Sequence, residues 1–351
     1  MTARPRPAPA PAPGSYDDGT AVRARLDAAV GAVDAPDVVF ALSCDGRRAV
    51  RCGGTAPPPA LPRDRARYEI GSVTKTYTGL LLARLTGTGA LSGNDEAVTY
   101  LDPGRRRGPA GITLTHLITH TSGLPPLPRD FHLRALPHRS TNPYAPYSAE
   151  RVVRAFLRSR PRHRPGTRWR YSNFGAAVLG HALAAATATP WERLLTTHVL
   201  DPLGLTGTAL APGGPHADAT GHRADGVRPT PALRIGGFAA AGAVRATPDD
   251  LLTFLEAHLR PETSPLADAL REVRRPVLRR GRGRGQVHTL TWFQDATEHG
   301  PMYFHLGATS GQQVFLGFRP DTGTALAAVS TRRYRGEDTL IPTAYELLSE
   351  W

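Results

Sequence analysis

The chain has one lysine. Its 42 other long basic side chains are arginine, and Lys75 stands three residues after a serine, in Gly71-Ser72-Val73-Thr74-Lys75. Arginine keeps its proton at any biological pH, whereas a desolvated lysine can become a neutral base. On a helix, positions i and i+3 share a face with about 5–6 Å between Cβ atoms, so the Lys75 amine can reach the Ser72 hydroxyl. A serine in the first turn also sits at the positive end of the helix dipole, beside backbone N–H groups that lack intrahelical partners. These are the parts of a nucleophilic hydroxyl: a proton acceptor at its side and donors for the oxyanion it generates.

Two later stretches add candidates. Residues 165–173, PGTRWRYSN, end a loop at the start of a helix and place Tyr171 and Asn173 at the junction. Phe304-His305-Leu306-Gly307-Ala308 lies at the end of one strand, before the next begins. A free tyrosine titrates near 10 and a lysine near 10.4. In hydrogen-bond contact the two titrate as a unit, and the sequence leaves open which of them takes the Ser72 proton.

In that order, SxxK, YxN and HxG resemble the motifs of the serine β-lactamase and penicillin-binding-protein superfamily. The likeness is to its class C-like branch, which also contains esterases, D-aminopeptidases and transacylases. LTHLITHTSGLP (114–125), YSNFGAAVLGHAL (171–183), LDPLGLTGT (200–208) and AAGAVRATPDDLLTF (240–254) support it, so it runs from about residue 20 to 350. The resemblance implies an α+β, β-lactamase-like fold: an antiparallel sheet flanked by terminal helices, a mainly helical lobe, and a site in the cleft between them. It makes Ser72 the nucleophile, Lys75 its proton partner and Tyr171 a second acid or base. Asn173 would orient Lys75 and a substrate amide or carbonyl. The N–H groups of Ser72 and Ala308 would form the oxyanion hole, with Gly307 admitting the substrate to the strand edge.

One departure bears on substrate. In β-lactamases and cell-wall peptidases the third triplet often begins with Lys, whose cation helps hold a substrate carboxylate; here it begins with His305, mostly neutral at pH 7. Acyl transfer from a small ester or amide to water, an amine or an alcohol is therefore the expected reaction, with no cofactor and no metal. β-Lactamase or D-amino-acid-specific peptidase activity is the alternative.

The elements that must carry these residues follow from periodicity and turn signals. A helix over 22–33 precedes a hairpin turning at Asp45-Gly46. A short strand at 67–70 leads into a helix opening at Ser72. From about 90 to 225 the chain reads as mostly helical, with segments at 113–120, 148–159, 173–187 and 191–199. Residues 121–147 form a long Pro-rich loop of the kind that walls a cleft. Thr247 caps a further helix. Strands follow at 287–293, 302–305, 311–319 and 324–331, then a helix over 338–350. Residues 1–15 read as a flexible Pro/Ala arm and 16–351 as a single catalytic domain, its sheet lobe drawn from 16–90 and 226–351 and its helical lobe from 91–225.

Composition bounds the rest. Net charge is +13, which raises a non-catalytic, nucleic-acid-binding reading. RRGRGRG (279–285) is its sharpest feature, but aromatics are only 7% and none interleave this run for base stacking. His116 and His120 have the i, i+4 spacing of two zinc ligands, but the residues between them, Leu-Ile-Thr, supply no glutamate base. Cys44 and Cys52, across the hairpin, stand roughly 17 Å apart at about 3.3 Å per residue, too far for a disulfide. Two free thiols, no apolar leader and no run of 18 apolar residues predict a cytoplasmic protein with no membrane partner.

Overall fold

Strands from both ends of the sequence share one sheet. The structure, a computed structural model, describes residues 19–104, 109–138, 142–280 and 286–351. The strands are β1 (Val38–Cys44), β2 (Arg47–Gly53), β3 (Tyr68–Glu69), β4 (Thr208–Ala209), β5 (Arg245–Ala246), β6 (Pro276–Arg280), β7 (Gln286–Thr289), β8 (Phe293–Thr297), β9 (Gly300–Ala308), β10 (Gln313–Arg319) and β11 (Thr324–Ser330). Eight of them form an antiparallel sheet in the order β2-β1-β11-β10-β9-β8-β7-β6. A small sheet, β3-β5-β4, lies beside the Ser72 segment.

The central strands read as nearly continuous apolar runs because both sheet faces are covered. Along β1, Val39 and Ala41 join the larger core under the helical lobe. Their neighbours Val38, Phe40 and Leu42 join the smaller core under the terminal helices. The β11 and β10 residues alternate in the same way, as a period of two requires. The Gly19–Gly31 and Leu340–Ser349 helices cover one face; the Pro248–Leu259 helix packs on β1, β10 and β11 from the other. Thr247 caps that helix, its hydroxyl accepting from Asp250 N at 3.3 Å, as the sequence predicts.

The Asp45-Gly46 hairpin has the expected register, Cys44 opposite Arg47 and Cys52 opposite Val39, and both cysteines are free. Other expectations need correction. The strand expected over 287–293 is two strands, because Leu290–Trp292 turn back, with Trp292 N donating to Thr289 Oγ1 at 2.9 Å. Helix does not continue through 200–225, where PLGLTGTALAPGGPHADATGHRADG supplies too many Gly and Pro residues for it. The Pro-rich loop contains a short helix, Phe131–Ala135. His305, Gly307 and Ala308 lie inside β9, three residues longer than expected at its end. The arm at 1–15 and residues 281–285 of the basic run lie outside the described residues.

One close approach sets the position of the Ser72 turn. A Cβ on Gly307 would lie 2.0 Å from the Ile70 carbonyl oxygen, and one on Gly71, at φ +50°, 2.6 Å from that of Ala308. Backbone meets backbone here, so neither neighbour can swing away. Gly307→Ala is expected to lower stability on the order of 1–3 kcal/mol, as overpacking does. Gly87→Ala, at a helix end with nothing within 4 Å of the added carbon, should be neutral or gain up to about 1 kcal/mol. Urea denaturation of the two variants checks this; equal effects would mean that the β9 approach is not constraining.

Candidate active site

Ser72 lies in a 3-10 turn, Gly71–Val73, and the α-helix proper runs Thr74–Gly87. The turn is pinned from behind. Buried Glu69 accepts from Arg245 at 3.0 Å and from Leu233 N at 2.7 Å, while its own N–H donates to Gln312 at 2.8 Å. Arg245 is buried as well and donates to Leu233 O at 2.7 Å. Breaking a buried pair by removing one partner typically costs about 3–5 kcal/mol, so these bonds hold the Ser72 approach rigidly. In the next turn, Thr74 Oγ1 accepts from Val244 N at 3.1 Å.

Lys75 is 1% exposed. Its Nζ donates to Ser72 Oγ at 3.0 Å and to Ala241 O at 2.9 Å, and stands 5.0 Å from the Tyr171 ring centroid. Burial lowers its pKa to about 7. Burial pushes the Tyr171 phenol the other way, up to about 12, against a hydrogen bond with Ser72 that pulls it down. At neutral pH the amine is thus poised to accept a proton, whereas the phenol holds one.

Tyr171 is positioned by a residue that sequence reasoning weighed only as a zinc ligand. His120 sits beyond the end of the Leu114–Ile118 helix at φ +59°, a backbone conformation that costs a non-glycine residue about 1–3 kcal/mol. Its carbonyl accepts from Arg170 N at 2.8 Å, its Nδ1 accepts from Ser172 N at 3.3 Å, and its ring lies 4.4 Å from that of Tyr171. His116 turns elsewhere, closing the N-terminal capping box with Thr113. Their i, i+4 spacing does not bring the rings together, because the helix has ended before His120.

Asn173 opens the Asn173–Thr187 helix, which Ser172 caps by accepting from Gly175 N at 2.9 Å. Its Nδ2 donates to Tyr144 OH at 3.1 Å, so the amide is held by the Pro-rich loop, and Lys75 takes Ala241 O as its second partner. Asn173 Oδ1 is buried without a hydrogen-bond partner.

Ser72 opens into a cavity of about 160 Å³ walled by Tyr144, Asn173, Leu233, Ile235, Ala308, Thr309 and Ser310, with Arg333 also in its lining. Tyr144, Leu233, Ile235 and Arg333 carried no motif and became visible only in the fold. His305 stands behind this wall, 2% exposed, with Nδ1 2.9 Å from Leu306 O. Burial first, then the Lys75 charge, lowers its pKa to about 3, so it is neutral. Arg333 is the one cationic side chain among the described residues of the cavity lining. Among the described residues no group of three or more His, Cys, Asp or Glu side chains is placed to hold a metal, and no helix is long and apolar enough to cross a membrane.

This arrangement defines a class. The sequence model of the Beta-lactamase family matches residues 22–349, and the chain belongs to that family. Among its relatives, a β-lactamase of Pseudomonas fluorescens is 29% identical over 209 residues, covering 58% of this chain and 54% of that protein. Among solved structures, a β-lactamase/D-alanine carboxypeptidase from Pseudomonas syringae superposes with a TM-score of 0.78 at 20% identity, covering 94% of this chain and 98% of that one. A D-stereospecific amidohydrolase from Streptomyces gives 0.73 at 23%, covering 95% and 98%. The chain spans about half the length of the curated relatives it matches. The fold is the β-lactamase-like one.

The single lysine allows a direct check of its protonation. Protein labelled with ¹⁵N-lysine gives one side-chain nitrogen signal, expected to titrate near pH 7. A basic group whose pKa falls on folding leaves the unfolded chain holding the extra proton. Its contribution to stability therefore rises with pH between about 7 and the unfolded value near 10.4. A midpoint near 10 would show the amine to be a permanent cation.

Proposed function

We propose that the protein is a serine acyl-transfer enzyme that forms an acyl-enzyme on Ser72 from a small ester or amide, then releases the acyl group to water or to an amine or alcohol. The observation that carries this reading is the buried Lys75 amine 3.0 Å from the Ser72 hydroxyl. In acylation, Ser72 Oγ bonds to the substrate carbonyl carbon as its proton moves to neutral Lys75. The oxyanion meets the N–H groups of Ser72 and Ala308, the latter held beside Gly71 by the close approach of β9. As the tetrahedral adduct collapses, the ester or amide bond breaks and the leaving group takes the proton from Lys75, with Tyr171 as a second donor. Deacylation repeats these transfers with the acceptor as nucleophile.

The cavity limits the acyl group. About 160 Å³ is small beside the roughly 300–1,000 Å³ of drug-sized sites, and Leu233, Ile235 and Tyr144 make part of its wall apolar. Asn173 Oδ1, buried and unpartnered, is an acceptor for an amide N–H. Esterase or transacylase chemistry is our primary reading because His305 is neutral and set back from the cavity. Arg333 supports the second reading, a β-lactamase or D-amino-acid-specific peptidase, since a cation there can pair with a substrate carboxylate. We assign a reducing compartment on the ground that Cys44 and Cys52 are free thiols.

Ser72→Ala is expected to abolish turnover and labelling by a fluorophosphonate, with the fold intact by circular dichroism. Lys75→Arg should cost on the order of 10²–10⁴-fold in kcat/KM, the usual size of general acid–base catalysis, because a guanidinium cannot give up its proton at neutral pH. Near-normal rates in the arginine variant would reduce Lys75 to an electrostatic role. A panel of p-nitrophenyl esters with and without amine acceptors, nitrocefin and a D-Ala-D-Ala peptide separates the readings. Efficient nitrocefin hydrolysis with negligible ester turnover would favour the second.

A further inference from the structure

A groove of about 600 Å³ is lined in part by the Pro-rich loop. Arg129 and Arg134 line one wall. Arg151, Arg154 and Arg158 line the other, spaced by three and four residues along the Ala149–Leu157 helix and its C-cap, and Arg160 and Arg162 extend it. Tyr147 and Phe174 close the floor of the groove, each only 1% exposed. The one carboxylate in the lining, Asp130, is already engaged, accepting from Arg134 at 2.8 Å and from Tyr147 OH at 2.7 Å. Glu150 faces the neighbouring hollow, beyond Arg154.

An arginine-biased chain scatters guanidinium groups over its surface, but elsewhere it pairs many of them. Twelve arginines outside the groove have carboxylate partners. Of the seven in the groove, only Arg134 has one among the described residues. Like charges gathered on one concave face repel, and low-dielectric walls focus their field. Such a cluster weakens the empty protein unless an anion neutralises it. A guanidinium fork matches phosphate oxygens in two-point contacts, and several forks along a helix suit several phosphates in a row. The volume leaves room for a small organic body beside the phosphates.

We propose that this groove binds a ligand carrying two or more linked phosphate groups, free or attached to a small organic body. Phe174 follows Asn173, which lines the Ser72 cavity, so an occupant would rest on the segment that carries Tyr171 and Asn173. The site is independent of the acyl-transfer reading, and its test reads binding rather than turnover.

Calorimetry at 150 mM NaCl, without divalent metal, measures binding of sodium tripolyphosphate and of adenosine triphosphate. Three proteins are compared: wild type, an Arg154→Ser/Arg158→Ser/Arg162→Ser variant, and a control with Arg260→Ser/Arg271→Ser/Arg275→Ser that removes the same charge elsewhere. The groove variant should lose tenfold or more in affinity and melt no lower than wild type without ligand, since repulsion is relieved. The control should bind within about twofold of wild type. Tighter binding of the nucleotide would show that the groove also takes an organic body; equal binding would assign the site to the phosphate chain itself. No binding by wild type, or equal loss in groove and control variants, overturns the proposal and leaves only the general pull of a +13 chain. Arg158→Ser alone, at an exposed helix end, supplies the comparison if the triple variant does not fold.

Discussion

An amine buried to 1% exposure is the constraint on which the rest of the site depends. In water Lys75 would be a cation; buried from solvent it is held near the point of neutrality, and its hydrogen bonds go to Ser72 and the Ala241 carbonyl. Desolvating a lysine is unfavourable, and a fold keeps such a group only where surrounding structure supports it. The supports are visible: the Glu69–Arg245 pair behind the turn, Thr74 bonded to Val244, and β9 pressed against Ile70 and Gly71. The same burial moves Tyr171 in the opposite direction. Two groups with nearly equal solution pKa values are thereby driven apart, the amine to about 7 and the phenol to about 12.

The sheet contributes position more than chemistry. Its central strands are apolar on both faces, so their register cannot slip without exposing one core or the other. That register carries Gly307 and Ala308 to the Ser72 turn. Gly307 is required there by space: a single added carbon would collide with the Ile70 carbonyl. The helical lobe brings the other half. His120, in a strained backbone conformation, ties down Arg170, Tyr171 and Ser172 at once.

Charge is distributed by two different rules on this molecule. Around the small sheet and the termini, arginines pair with carboxylates, as Arg67 with Asp218 and Arg332 with Asp34 do. Along the Ala149–Leu157 helix they do not. A sequence-wide arginine bias accounts for how many guanidinium groups there are, but concentrating six without carboxylate partners in one concavity is a property of the fold.

Much of the frame was legible in the residues. Ser72 and Lys75 stood out because i, i+3 spacing is a local rule and the lysine was alone against 42 arginines. The Asp45-Gly46 hairpin and the Thr247 cap are local signals too, and the structure has both. The split of 287–293 was not legible, since an apolar run reads the same whether it continues or turns back. His305 was expected in the cleft because HxG resembles the family's third triplet, and a motif says which residue stands there, not how deeply its side chain is buried. Tyr144, Leu233, Ile235 and Arg333 have no motif, and they meet Ser72 across separations of about 70 to 260 residues. The sequence by itself determined that Ser72 and the one lysine share a helical face and which elements hold them, because those depend on neighbours within a helical turn. Tertiary structure alone decided how deeply the lysine is buried, which way the Lys75 and Tyr171 pKa values move and what walls the cavity, because desolvation depends on atoms brought together from the whole chain.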